Sequence, residues 1–174
     1  MNWIVTEVDG KIASVSADYR YLAKISAEVA AMSPEEVDEI RTLKISTEEL
    51  LDLAKNLKWE DLRLFGSAFQ VKVWETLFNM PRKLCSYTEF AALADNPSGV
   101  RAVAHAVALN PVAYIIPCHL IVPKEAMDKA KEIRAIAEKT LFKGSDLYLL
   151  DSIDVGEYAY GPELKRDLIK LQLT

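Results

Sequence analysis

The stretch from Ser86 to Val122 most narrows what this chain can become. Ser86-Tyr87-Thr88-Glu89 leads into a short helix, Phe90-Ala91-Ala92-Leu93-Ala94. Asn96 then caps a second helix, with Pro97 at its first position. That helix carries Val100-Arg101-Ala102-Val103-Ala104-His105-Ala106-Val107 and stops before Asn110-Pro111, because the residue before a proline is pushed out of helical backbone. Two short helices with a joint of about three residues make a helix-turn-helix candidate, although an ordinary helical hairpin is commoner. Residues 112–122 are apolar and partly β-branched, and carry Pro117-Cys118-His119 into a core or onto a pocket floor.

Cys118 and His119 bring together a thiol and one of two histidines. A cysteine is a good nucleophile only as thiolate, so a base or a dipole has to help it ionise. His119 is the candidate base. Neighbours in an extended segment point to opposite sides, so a bridging water or a local turn is needed to pass the proton. The plainer reading of the tripeptide alone is a buried structural cysteine beside a hydrogen-bonded histidine.

The flanking chain supplies a frame. Ile4 to Val8 and Lys11 to Val15 alternate about Asp9-Gly10, a strong hairpin signal. Tyr19 to Met32 has helical spacing through Leu22, Ile25 and Val29. Ser33-Pro34-Glu35-Glu36 predicts a further short helix, and Ser46-Thr47-Glu48-Glu49 another, leading into Leu50, Leu51, Leu53 and Leu57. Phe65-Gly66-Ser67 is a joint. Residues 1–66 form a structural hairpin-plus-helix unit, and 67–174 a second, mainly helical domain; the class is α+β. The second domain begins with a helix over 69–78, whose Phe69, Val73, Trp74 and Leu77 are assigned to the core. Lys124 to Lys143 is a charged helical segment with sparse apolar points at Met127, Ile133, Ile136 and Leu141. A final helix runs through Lys165, Leu168, Ile169 and Leu171.

The 174 residues carry a net charge of −5, which argues against coating nucleic acid by bulk electrostatics and leaves room for a local basic patch. Two cysteines make no disulfide framework, and no four-ligand Cys/His zinc spacing is present. No apolar run approaches membrane-spanning length, and Met1-Asn2-Trp3-Ile4 lacks the character of a signal peptide. The expectation is a soluble, cytoplasmic monomer with reduced thiols and no metal.

The order of these motifs resembles the O6-alkylguanine-DNA alkyltransferases. The resemblance is carried by Phe69-Gln70, Val73-Trp74, Leu77 and Pro81; by Ser86-Tyr87; by Ala91-Ala92-Leu93-Ala94, Asn96-Pro97 and Arg101-Ala102-Val103; and by Asn110-Pro111, Pro117-Cys118-His119 and, more loosely, Tyr158, Gly161, Lys165 and Leu168. It implies repair of double-stranded DNA containing O6-alkylguanine by one irreversible alkyl transfer to the protein's own cysteine, without a cofactor. Cys118 would be the nucleophile and His119 its proton acceptor through water. Tyr87 would donate to the flipped base as guanine departs. Arg101 would replace the extruded base in the stack, with Ala102 and His105 on the same DNA-facing helix. Asn110 would hold the turn beneath the site. Pro117, Tyr158 and Tyr160 would line the pocket, the bulk of Tyr160 favouring methyl over larger groups.

The sequence departs from that pattern at five places. Leu120 stands where the family has Arg. Gln172, seven residues after Lys165, stands where a Glu completes a Cys-water-His-Glu relay; an amide stabilises an imidazolium less than a carboxylate does, which predicts a less activated thiol. Ala104 and His105 stand in a helix that normally shows smaller residues. The turn after Pro81 lacks the usual Gly. An insertion near 124–150 separates Cys118 from Tyr158. Two other readings follow: a lesion-binding protein of this family with little or no transfer, and an interaction protein with an inert Cys118 that binds a partner through the insertion.

Overall fold

A computed structural model describes residues 1–37, 39–139 and 150–173, with the side chains of 136–139 left aside. The end of the charged segment, with Leu141 and Lys143, lies outside them, as do the Ile136 side chain and most of the second half of the 124–150 insertion. Contacts divide the chain into two compact units, residues 1–78 with 109–116, and residues 79–108 with 117–174. The joint read at Gly66 therefore falls inside the first unit.

The first unit is built on an antiparallel sheet in the order β2-β1-β3, from β1 (Asn2–Val8), β2 (Lys11–Ser16) and β3 (Ile40–Ser46). The hairpin forms where the sequence predicts it. Asp9 and Gly10 both have positive φ, 50° and 79°, the backbone that a tight two-residue hairpin turn demands. The register slips between Thr6 and Glu7, which moves Glu7 opposite Ile12. The outer edge of β2 is covered by chain from elsewhere in the unit. Val15 N–H donates to the Pro111 carbonyl, Ala113 N–H donates to the Val15 carbonyl (both 2.9 Å), and Arg63 N–H donates to the Ile12 carbonyl at 2.8 Å.

Two expectations in this unit fail. Ser33-Pro34-Glu35-Glu36 makes a turn and no helix. Its capping bonds form, Ser33 N–H to Glu36 Oε2 at 2.9 Å and Glu36 N–H to the Ser33 carbonyl at 3.0 Å, but the chain is then drawn into the sheet. Asp9 N–H donates to the Glu39 carbonyl at 2.9 Å, and Glu39 N–H to Asp9 Oδ1 at 2.8 Å, which starts β3. That strand was not foreseen. The first helix is shorter than its pattern, α1 (Leu22–Ala30). The start at Ser46 holds: α2 (Thr47–Asn56) carries a full capping box, with Ser46 and Glu49 each bonding the other's backbone N–H.

Ser67 and Gln70 cap α3 (Ala68–Asn79) in the same reciprocal way, at 3.2 and 2.9 Å. Val73, Trp74 and Leu77 are buried, but Phe69 is 39% exposed, so its assignment to the core is corrected. It sits at the edge of the apolar stripe, one turn before Val73. A Cβ on Gly66 would come within 2.7 Å of the Trp74 ring, so only glycine lets the backbone pass there.

In the second unit, β4 (Cys85–Ser86) pairs in parallel with β5 (Ile121–Val122). Ser86 Oγ accepts from Glu89 N–H at 3.1 Å and caps α4 (Tyr87–Leu93), which packs on α5 (Val100–Ala108). The second helix begins later than Asn96-Pro97 predicts. Asp95 closes α4 with φ 57°, while Asp95 and Asn96 N–H donate back to the Ala92 and Ala91 carbonyls at 3.1 and 2.9 Å. Asn96 then makes a turn to Gly99 before α5 starts, so the joint spans residues 94–99. The unit ends in α6 (Lys124–Lys139) and α7 (Pro162–Leu173). Among the described residues no helix is long and apolar enough to cross a membrane.

Candidate active site

In the first unit, the chain leading towards the cysteine is shaped by Asn110, which is 6% exposed. Its Nδ2 donates to the Ile116 carbonyl at 2.8 Å and the Val112 carbonyl at 3.4 Å, while Oδ1 accepts from Val112 N–H at 3.0 Å. One side chain thus closes the turn 110–116 from inside. Tyr114 within it has φ 68°, a backbone rarely adopted by a large residue.

In the second unit, Cys118-His119-Leu120 is a single 3-10 turn after Pro117. In such a turn neighbouring side chains stand about 120° apart, so the thiol and the imidazole do not point to opposite sides as they would in a strand. Cys118 and His119 are both buried, His119 completely. Burial pulls the His119 pKa from 6.5 down to about 3; a side-chain hydrogen bond with Gln172 opposes the fall, and the positive charges of Lys165 and Arg82 add to it. The imidazole is therefore neutral at physiological pH, with room to accept a proton but little to stabilise it.

Lys165 is a finding. It has no chemical role assigned from the sequence, yet it is 1% exposed. Desolvation lowers its pKa from 10.5 to about 8, partly offset by negative charge at Cys118 and Asp154. Its Nζ donates to the Glu157 carbonyl at 3.3 Å and lies 5.8 Å from the centre of the Tyr87 ring. A thiolate at Cys118 favours this ammonium, and by the symmetry of the interaction the ammonium favours the thiolate. Burial raises the Tyr87 pKa, helped by Cys118 and Glu157, so the phenol stays protonated and remains a donor. The signal for Lys165 was present in the sequence. Lys165, Leu168, Ile169 and Gln172 recur at helical spacing, and the apolar pair marks the face that turns inward.

Tyr158 and Tyr160 meet edge to face with ring centres 5.5 Å apart. Arg101, Ala102 and His105 are all exposed on α5, while Val103, Ala106 and Val107 form its buried side. Among the described residues no cluster of His, Cys, Asp or Glu could hold a metal ion.

Residues 68–140 match the family model of the 6-O-methylguanine DNA methyltransferase DNA-binding domain. Over that stretch the chain is similar to this methyltransferase family. A methylated-DNA–protein-cysteine methyltransferase of Kluyveromyces lactis is 42% identical over 73 residues, covering 41% of this chain and 38% of that protein. One from Mycobacterium bovis is 34% identical over 97 residues, covering 47% of this chain and 59% of that protein. The chain thus spans less than two thirds of the length of either relative. The fold is that of a point variant of the Mycobacterium tuberculosis O6-methylguanine methyltransferase (TM-score 0.54, 20% identity, 99% of this chain and 93% of that one). A methyltransferase from the archaeon Pyrococcus kodakaraensis gives a TM-score of 0.52 at 20% identity, over 99% and 92%.

Proposed function

We propose that this protein repairs DNA by moving a methyl group from guanine O6 to Cys118, once per molecule. The observation that carries the proposal is the company kept by Cys118: a neutral buried imidazole next to it in one tight turn, and the Lys165 ammonium and Tyr87 phenol within electrostatic reach. His119 takes the thiol proton, directly or through water, and Lys165 stabilises the thiolate. The sulfur attacks the methyl carbon in line, an S–C bond forms, and the C–O6 bond breaks with its electron pair passing to guanine. Tyr87 donates a hydrogen bond to the departing base, which finally acquires the proton that left the thiol. The products are S-methylcysteine and intact guanine, so no cofactor is consumed.

The O6 position is out of reach inside a duplex, so the base must leave the stack. The exposed face of α5 is the proposed DNA contact, with Arg101 filling the vacated space and Ala102 permitting close approach. His105 stands on the same face, one turn after Arg101, and contacts a phosphate. Asn110 acts at one remove, by closing the turn 110–116 that precedes Pro117 and Cys118 in the chain. Pro117, Tyr158 and Tyr160 line the base pocket, and double-stranded DNA carrying O6-methylguanine is the partner.

The test is repair of a labelled duplex by equimolar protein. Restored guanine is expected with the native chain and none with Cys118→Ser; repair by Cys118→Ser would overturn the mechanism. A second reading, lesion binding with little transfer, is favoured by one observation: a fully buried His119 with a neutral amide, Gln172, where a carboxylate would stabilise its proton better. Tight binding of the lesion duplex without loss of its methyl group would select that reading.

A further inference from the structure

The far end of the insertion does not return to the site unguided. Arg166 on α7 donates from Nε to the Leu150 carbonyl at 2.9 Å and from Nη2 to the Ile153 carbonyl at 3.2 Å. Arginine ordinarily seeks carboxylates; here it grips two backbone carbonyls. One turn later Lys170 pairs with Asp151 at 2.9 Å. The strapped segment then buries Ile153 and Val155 and turns at Gly156, whose N–H donates to Asp154 Oδ1 at 2.9 Å. Gly156 has φ 78°, and a Cβ there would lie 2.9 Å from Pro123 Cδ and 3.7 Å from Lys165 Nζ. The next carbonyl, that of Glu157, is the one that receives the Lys165 ammonium.

We propose that Arg166 is a positioning residue for the transfer reaction: by clamping the chain where it returns from the insertion, it sets the Glu157 carbonyl on the Lys165 ammonium. The inference rests on the reading of Cys118 as the nucleophile. Arg166 and Lys165 are neighbours on a helix, so their side chains diverge by about 100° and Arg166 acts only through the strapped backbone. The groups that face Lys165 are the Glu157 carbonyl, Asp154, Cys118, His119 and the Tyr87 ring. Loosening the strap admits water to this enclosure. The ammonium then regains hydration and loses its hold on the thiolate.

The experiment pairs two readouts on the whole chain. One is single-turnover transfer from an O6-methylguanine duplex between about pH 6 and 10. The other is the NMR titration of the Lys165 side chain, which does not depend on activity. Arg166→Gln is expected to slow transfer about tenfold and to move the Lys165 midpoint upward from about 8. Arg166→Lys restores part of both, and Lys170→Ala, which breaks the ion pair with Asp151 and leaves both Arg166 bonds in place, changes neither. A lower melting temperature for Arg166→Gln with unchanged transfer and an unchanged midpoint would overturn the inference, leaving Arg166 a structural strap. If the native chain transfers nothing, the alkyl-transfer reading fails, and the midpoint alone then decides whether Arg166 positions Lys165. If Arg166→Gln does not fold, Arg166→Lys decides, since its midpoint must lie above that of the native chain.

Discussion

Replacing Gln172 by Glu tests the energetic weak point of this site. Burial brings His119 from 6.5 to about 3, so placing a proton on the ring costs about 5 kcal/mol more than in water, at about 1.4 kcal/mol per pKa unit. That cost falls on the step in which His119 takes the thiol proton. The Gln172 side chain already works against it, but as a neutral group. A bond to a carboxylate is roughly twice as strong as one to an amide, a gain of about 1–1.5 kcal/mol. Gln172→Glu should therefore raise single-turnover transfer about tenfold at neutral pH and raise the His119 pKa by about one unit. Rapid-quench assays on an O6-methylguanine duplex read the first effect, and imidazole NMR the second. A variant that folds and binds the lesion duplex as well as the native chain, yet transfers no faster, would refute the reasoning.

Other predictions follow from the same geometry. Lys165→Met removes a buried charge whose desolvation costs up to about 3 kcal/mol, so thermal stability should hold or rise while transfer falls at least about tenfold; unchanged transfer would remove Lys165 from the site. Arg101→Ala, on an exposed helix face, should leave the melting temperature unchanged and reduce repair by about tenfold or more, and unaltered repair would withdraw its stacking role. The depressed His119 pKa makes the unfolded chain bind the extra proton, so stability is full above about pH 6.5 and declines as pH falls towards about 3. Urea titrations across that window should show the decline, and His119→Asn should flatten it.

The parts of the fold that were legible in the sequence are those decided by local chemistry. Asp9-Gly10 supplies two positive-φ residues, so the hairpin needs no distant help. Ser46 caps its helix with a side chain three residues from its target. What was not legible depended on distant partners. Ser33-Pro34 has the signal of a helix start, but bonds between Asp9 and Glu39 direct the chain to β3. The alternation of Leu43-Lys44-Ile45-Ser46 was masked by that stronger local signal. Asn96-Pro97 marks a boundary correctly, but the left-handed Asp95 and the turn to Gly99 delay the helix. The site divides in the same way. Cys118, His119 and Tyr87 were legible through their neighbours in sequence. Lys165 shares helical spacing with Leu168 and Ile169, but a lysine on an amphipathic helix ordinarily faces water, and only the packed structure gives it a carbonyl, a thiol and a phenol for company.

The central claim is that Cys118 accepts an alkyl group from DNA. Intact mass of the purified protein, before and after incubation with a duplex containing O6-methylguanine, tests it most directly. The expected result is a stoichiometric gain of one methyl group in place of one hydrogen, mapped to the peptide that contains Cys118. An unchanged mass after full incubation with excess lesion duplex would contradict it.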